Sequence, residues 1–120
     1  MKEMVEVADG VLFVTPEDNR AIPVGLKKAI DWASRPWGRN SFAGKPAGIV
    51  GATVSPVGTA VAQADLRHIL VYLNVKLLGQ PEVYFATASQ SFSEAGEIDE
   101  SKKAELEAYM RAFIEWVMAK

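Results

Sequence analysis

The sequence contains no cysteine and only one histidine among its 120 residues. Without cysteine the chain has no disulfide bonds, no thiol nucleophile and no thiolate metal ligands. The single histidine, His68, has no second ligand or nucleophile at a useful spacing in the sequence, which favours a structural or solvent-facing role. The sequence therefore predicts no metal site.

Neither sign of charge dominates, because 13 lysines and arginines face 15 aspartates and glutamates for a formal net charge of −2. This balance gives no electrostatic signal for nucleic acid or an anionic membrane. Long hydrophobic runs are also missing, since the apolar stretches have the length of strands and are too short to span a bilayer. The opening residues 1–6 lack the basic start and apolar run of a secretory signal. We expect a cytoplasmic protein that binds neither nucleic acid nor a membrane.

The residues that are present have the balance of one folded domain over 1–120, with 49% hydrophobic and 23% charged residues. Strand-length apolar runs occur at 11–14, 47–51 and 83–86. Their hydrophobicity is continuous rather than alternating, which favours parallel strands buried on both faces.

Between and after these runs, apolar residues recur at the spacing of a helix. Pro23 stands where the first turn of a helix is expected to begin. An apolar stripe predicts a second helix from about Val57 to Leu73, and Asp99 or Ser101 is expected to cap the last helix. The opening residues Lys2 to Ala8 resemble the end of a further helix. The alternation of strands and helices predicts an α/β fold with a parallel sheet and helices packed on its faces.

Two segments carry a resemblance to a known family: TPEDNRAIP at residues 15–23 and LKKAIDW at residues 26–32. They resemble the NAD(P)H-dependent FMN reductase family, which includes quinone and chromate reductases of bacteria. The family pattern is Pro-Glu-Tyr-Asn, a short spacer with proline, and then Leu-Lys-Asn-Ala-Ile-Asp-Trp. The similarity continues in order through FAGKP at 42–46, GA at 51–52, GTA at 58–60 and LRHIL at 66–70.

The resemblance implies a flavodoxin-like, three-layer α/β/α fold with a parallel sheet. It implies an oxidoreductase that transfers hydride from NADPH or NADH through FMN to a quinone or similar small acceptor. Because the cofactor carries this chemistry, no catalytic side chain is expected to be essential. The resemblance also implies a homodimer or homotetramer.

Doubly wound sheets bind ligands beyond the carboxyl ends of their strands, so the loops after the first two strands are expected to hold the flavin. Gly51 and Ala52 are expected to leave room for its ring. Without the resemblance, these loops would be assigned only as turns and helix caps. The residues implied as cofactor contacts are Pro16, Glu17, Asp18, Asn19, Gly51, Ala52, Thr53 and Gly58.

The chain departs from the family pattern in two ways. Asp18 stands where the family has tyrosine, and an ionised carboxylate beside the ring should lower the reduction potential of the flavin. The family also begins with a strand and a Ser/Gly-rich phosphate loop that this sequence does not supply. The sequence thus corresponds to the C-terminal two-thirds of the fold, with Val11–Val14 as an exposed sheet edge. The alternative function is a truncated, catalytically inactive flavodoxin-like fragment that lacks the FMN phosphate site.

Overall fold

The computed structural model describes residues 1–86 and 92–119 of the chain. Within these residues a mainly parallel sheet is surrounded by helices, which confirms the predicted α/β fold. The helices are α1 (Lys2–Val7), α2 (Val24–Ala33), α3 (Ala60–Tyr72) and α4 (Glu100–Met118). The strands are β1 (Val11–Thr15), β2 (Pro46–Ala52), β3 (Lys76–Leu77) and β4 (Tyr84–Phe85).

Strand β2 is the centre of the sheet, and all of its described neighbours run parallel to it. It pairs with β1 on one side, in the register Val11 with Ala47 through Thr15 with Gly51. On its other side β3 pairs with residues 46–47 and β4 with residues 51–52. The two short strands therefore lie one after the other along the same edge of β2.

Helices cover both faces of the sheet, which confirms the three-layer arrangement. Successive residues of β2 point to opposite faces of the sheet: Ile49 faces α2 and α3, and Val50 faces α4. The core under α2 and α3 consists of Phe13, Ile22, Ile30, Ala33, Phe42, Ala47, Ile49, Ala62, Leu66, Leu70, Leu73 and Val75. The core under α4 consists of Val50, Val83, Phe85, Tyr109 and Phe113.

Strand β1 lies at an edge of the described sheet, as expected, but it is not buried on both faces. Phe13 is 6% exposed beneath α2 and α3, whereas Val14 is 69% exposed on the side of α4. The prediction of burial on both faces is wrong for this side, because α4 packs over the start of β1 and leaves its end uncovered.

Tyr109 of α4 completes the other edge of β2. Neither β3 nor β4 pairs with residues 48–50, so the backbone N–H of Ile49 lacks a strand partner there. That N–H donates instead to the hydroxyl of Tyr109 at 2.8 Å. A Cβ on Gly48 would lie 2.2 Å from the same hydroxyl, so the tyrosine requires glycine at this position.

The helix boundaries follow local signals. Helix α3 begins at Ala60 rather than at the predicted Val57, because Gly58 has a φ of +70° that a helix cannot contain. Of the two predicted caps of α4, Asp99 and Ser101, the structure has Asp99, whose carboxylate accepts from the backbone N–H of Ser101. Pro23 directly precedes the first residue of α2. In the described part of the chain, no helix is long and apolar enough to cross a bilayer.

Candidate functional site

The two predicted cofactor loops lie side by side. Thr15 near the end of β1 pairs with Gly51 near the end of β2, so the loops that follow both strands leave the same edge of the sheet. A depression of about 260 Å³ lies between these loops. Its lining residues are Glu17, Asn19, Arg20, Thr53 and Ser55.

The first loop contains a tight two-residue turn. Asp18 and Ala21 exchange two backbone hydrogen bonds, each 2.9 Å long. Between them Asn19 and Arg20 have φ angles of 50° and 68°, as a type I′ turn requires. Asparagine tolerates the left-handed region, whereas arginine seldom adopts it. The turn leaves Asp18, Asn19 and Arg20 exposed at the surface.

The carboxylate of Glu17 lies inside this loop, and its side chain is 5% exposed. One carboxylate oxygen accepts from the backbone N–H of Ala62 at 2.8 Å, in the first turn of α3. The other oxygen pairs with the guanidinium of Arg20 at 3.3 Å. Glu17 thus caps a helix that begins far downstream in the sequence, and its oxygen atoms already have partners within the protein.

Thr59 determines the packing of the second loop. A Cβ on Gly51 would lie 2.1 Å from the Thr59 hydroxyl, which also accepts from the amide of Gln63 at 2.8 Å. Protein atoms therefore lie where a side chain at position 51 would point, so glycine is needed there to accommodate Thr59, and contact between Gly51 and a ring stays a prediction. Gly58 is buried against Tyr84, and Ala52 is half-buried in the core under α4.

Residues 53–57 form a hydroxyl-stabilised turn at the rim of the depression. The Thr53 hydroxyl accepts from the Ser55 N–H at 3.4 Å, and the Ser55 hydroxyl accepts from the Val57 N–H at 3.2 Å. The N–H of Thr53 itself donates to the carbonyl of Phe85 at 3.0 Å, which ties the loop to β4.

Backbone donors remain free on both loops. Within residues 1–86 and 92–119, no acceptor pairs with the backbone N–H groups of Asn19, Arg20 or Val54. All three residues are exposed, so these N–H groups bond to water unless a ligand replaces it. The two loops can therefore present hydrogen-bond donors to the carbonyl oxygens of a flat heterocycle such as a flavin.

The predicted contact residues divide into three groups. Glu17, Asn19 and Thr53 line the depression, and Pro16 and Asp18 are exposed beside it. Gly51, Ala52 and Gly58 instead shape the second loop from within. Arg20 and Ser55 also line the depression, although the resemblance to the family did not indicate either of them as a cofactor contact.

A larger depression, of about 670 Å³, lies at the opposite end of the sheet. Residues from the loops that lead into β2 and β3, including Trp37, Arg39 and Leu73, line it at the amino ends of the strands. Parallel sheets bind their ligands at the carboxyl ends of the strands. The smaller depression lies at that end of the sheet, so we take it as the candidate ligand site although the other depression is larger. In the described residues, no group of three or more histidines, aspartates or glutamates could hold a metal ion.

Comparisons with known proteins agree on one family. The family model described as NADPH-dependent FMN reductase matches residues 1–90. The chain is 43% identical over 117 residues to a 2-hydroxy-1,4-benzoquinone reductase of Burkholderia, covering 97% of this chain and 64% of the relative. It is 44% identical over 117 residues to an NAD(P)H-dependent FMN reductase of Pseudomonas aeruginosa, covering 97% of this chain and 63% of that relative.

Solved structures show the same fold. FerB, a flavoenzyme NAD(P)H:(acceptor) oxidoreductase from Paracoccus denitrificans, matches with a TM-score of 0.88 and 38% identity. The match covers 97% of this chain and 64% of FerB. General stress protein 14 from Treponema denticola, solved with FMN, matches with a TM-score of 0.53 and 18% identity over 97% of this chain and 68% of that one, which supports the fold alone. The chain spans less than two thirds of the length of FerB and of the two curated relatives described above.

Proposed function

This chain belongs to the NADPH-dependent FMN reductase family, and from that premise we propose that it is an FMN-dependent oxidoreductase. It would take hydride from NADPH or NADH and deliver it to a quinone-like small acceptor. One observation carries the proposal: the two loops of the family motif meet at the carboxyl edge of the sheet with unpaired backbone donors. The relatives that match over nearly the whole chain include quinone reductases.

The first role proposed for the chain is to bind and orient the ring. The backbone N–H groups of Asn19, Arg20 and Val54 would donate to the oxygens of the flavin. When bound, FMN supplies the hydride-accepting and electron-transferring chemistry. The Arg20 guanidinium at the rim would favour negative charge that develops on a ligand, whereas the carboxylate of Asp18 would oppose it.

We propose that no side chain of the site acts as a nucleophile or general base. The Glu17 carboxylate accepts from the Ala62 N–H and pairs with the Arg20 guanidinium. The Thr53 and Ser55 hydroxyls accept from backbone N–H groups of their own loop. We therefore propose that Pro16–Asn19 and the loop from Gly51 to Gly58 act through shape and backbone hydrogen bonds.

The second candidate function is a catalytically inactive flavodoxin-like fragment without an FMN phosphate site. It would apply if FMN binding needs parts of the fold beyond the 62–64% of the length that this chain spans in quinone and FMN reductases of 35–44% identity. The two candidates differ in one observable property, which is whether this chain alone binds FMN.

Self-association is part of the proposal. Large apolar side chains are exposed at the ends of α2 and α3, including Trp32 at 75% and Tyr72 at 72%. Exposed apolar patches often mark contact sites between proteins. We propose a homodimer or homotetramer that uses this face. A cytoplasmic location is proposed with it, because the reaction draws on NADPH or NADH and the chain has no cysteine to form disulfides.

An activity assay tests the proposal. The purified chain is mixed with NADPH and 1,4-benzoquinone, and NADPH oxidation is followed by absorbance as FMN is added. We expect oxidation that depends on the protein and saturates with FMN, above a control with FMN but no protein. NADPH oxidation no faster than in the protein-free control, at every FMN concentration, would contradict the proposal and favour the inactive candidate.

A further inference from the structure

We propose that Glu17 is a positioning residue that supplies a built-in anion to the N-terminus of α3. In this role it fixes the shape of the loop that the proposed function assigns to FMN, and it is not itself a contact to the cofactor. The consequence for FMN rests on the proposed function. The role of the carboxylate at the helix does not, since every contact involved lies within the chain.

Helix α3 needs a cap that its own sequence does not provide. The first N–H groups of a helix have no partner within it, and the helix dipole favours a negative charge there. Thr59 stands at the N-cap position but makes no capping hydrogen bond with its side chain. Its hydroxyl is held against Gly51 and accepts from Gln63 instead.

Glu17 supplies the missing acceptor from the neighbouring loop. Its oxygen lies 2.8 Å from the N–H of Ala62, which is the third residue of α3. Burying a carboxylate is costly unless hydrogen bonds and positive charge compensate for the lost water. Here the Ala62 N–H, the helix dipole and the Arg20 guanidinium provide that compensation.

A second hydrogen bond to α3 holds the other end of the same loop. The carboxylate of Asp65, one turn further along α3, accepts from the backbone N–H of Ile22 at 3.3 Å. The turn from Asp18 to Ala21 therefore lies between two attachments to α3. The free N–H groups of Asn19 and Arg20 belong to this turn, so their direction depends on both hydrogen bonds.

The built-in anion also has a consequence for phosphate. A helix N-terminus in an α/β protein commonly binds the phosphate of a ligand. At α3 the Glu17 carboxylate already occupies that place and has two partners. We therefore expect neither the phosphate of FMN nor that of a dinucleotide to bind at this helix N-terminus.

The test compares Glu17→Ala with Glu17→Gln, which keeps an acceptor oxygen without the charge. In Glu17→Ala we expect faster hydrogen exchange at the Ala62 amide, and FMN affinity about fivefold weaker from the loss of one cap. Added formate should restore both by placing a carboxylate in the vacated space. Glu17→Gln should show exchange at Ala62 between those of Glu17→Ala and the unaltered chain, because it keeps the acceptor and loses only the charge, and it should retain most of the FMN affinity.

Tyr109→Phe is the matched control, because it removes a hydrogen bond from the middle of β2 and none from either loop. It should leave FMN affinity unchanged and show no response to formate. Unchanged exchange at Ala62 in Glu17→Ala would overturn the inference. So would an equal loss of FMN affinity in both Glu17 variants with Ala62 protected in Glu17→Gln, since that pattern indicates direct contact with the cofactor.

The two proposals fail separately. If the unaltered chain does not bind FMN, the proposed function fails, and the exchange and formate measurements still decide the role of Glu17. If Glu17→Ala does not fold, exchange at Ala62 in Glu17→Gln decides it: exchange faster than in the unaltered chain supports the charged cap, and exchange equal to that of the unaltered chain contradicts it.

Discussion

Single side chains in this protein complete backbone structures that belong to distant parts of the sequence. Tyr109 does so for the sheet, because its hydroxyl accepts the N–H of Ile49 in the gap between β3 and β4. Glu17 does so for α3. In both cases the backbone group is buried or partly buried, so the loss of its partner leaves a donor without water or protein to accept it.

The first prediction concerns Tyr109→Phe, which removes the acceptor and leaves the ring in place. We expect unfolding free energy to fall by about 1–3 kcal/mol, the usual cost of a buried unsatisfied donor. Urea unfolding followed by circular dichroism measures this value. Tyr72→Phe, on an exposed tyrosine, is the control and should change stability little. Equal stability of the two variants would contradict the role given to the Tyr109 hydroxyl.

We also expect the difference in stability between the parent chain and Tyr109→Phe to depend on pH. Burial raises the pKa of Tyr109 above its usual value. The unfolded chain therefore releases this proton first, so the tyrosine's contribution to stability is complete below pH about 10 and falls as pH rises further. Tyr109→Phe lacks this term, so the stability gap between the two proteins should narrow above that pH.

The second prediction concerns Gly51→Ala. The added Cβ would lie 2.1 Å from the Thr59 hydroxyl and 2.7 Å from the carbonyl of Thr15. Overpacking of this kind typically costs about 1–3 kcal/mol of unfolding free energy. Gly25→Ala is the control, because nothing lies within 4 Å of its added Cβ. In helix α2 that control should raise stability by about 0.5 kcal/mol.

At the scale of elements, the sequence pattern identified the strands and helices with strong periodicity. Strand β3 was not predicted, because it contains only Lys76–Leu77 and two residues are too few to show a hydrophobic pattern. The start of α3 was misplaced because hydrophobic spacing continues into Val57, while the backbone of Gly58 ends the helix geometry. These differences arise from backbone conformation, which periodicity does not report.

The candidate site shows the same division between local and distant information. The motif indicated two loops as the cofactor site, which stays a prediction, and the register of β1 and β2 places these loops side by side. It did not predict that the Glu17 side chain turns inward, because the cap it provides joins segments distant in sequence. Nor did it predict that Thr59 fills the space beside Gly51.

The third prediction tests the cap of α4. Hydrogen bonds from Ser101 to the Asp99 side chain are the main cause that lowers its pKa. A lowered pKa gives stability that is present above the unfolded value near 4 and is lost as pH falls through the folded value. Asp99→Ala should therefore melt at a lower temperature than the parent at pH 7. At pH 2 the difference should shrink, and a constant difference would contradict the charge-based cap.

At the scale of the whole molecule, two surfaces lack protein partners within the described residues: the apolar ends of α2 and α3, and the free edge of β1. The fourth prediction separates them. Trp32→Glu should shift the chain toward the monomer in sedimentation if the helical face forms the proposed oligomer. Val14→Lys, at an exposed position of the edge strand β1, is the control and should leave the mass of the oligomer unchanged. The reverse pattern would move the interface to the sheet edge.

The central claim is that the two loops at the carboxyl edge hold FMN in this chain as it stands. Titration of the purified chain with FMN, followed by quenching of flavin fluorescence, tests it most directly, with the mass of the same sample measured in parallel. We expect saturable binding of one FMN per chain. No binding at high micromolar FMN by a folded chain would contradict it and leave the inactive fragment as the better description.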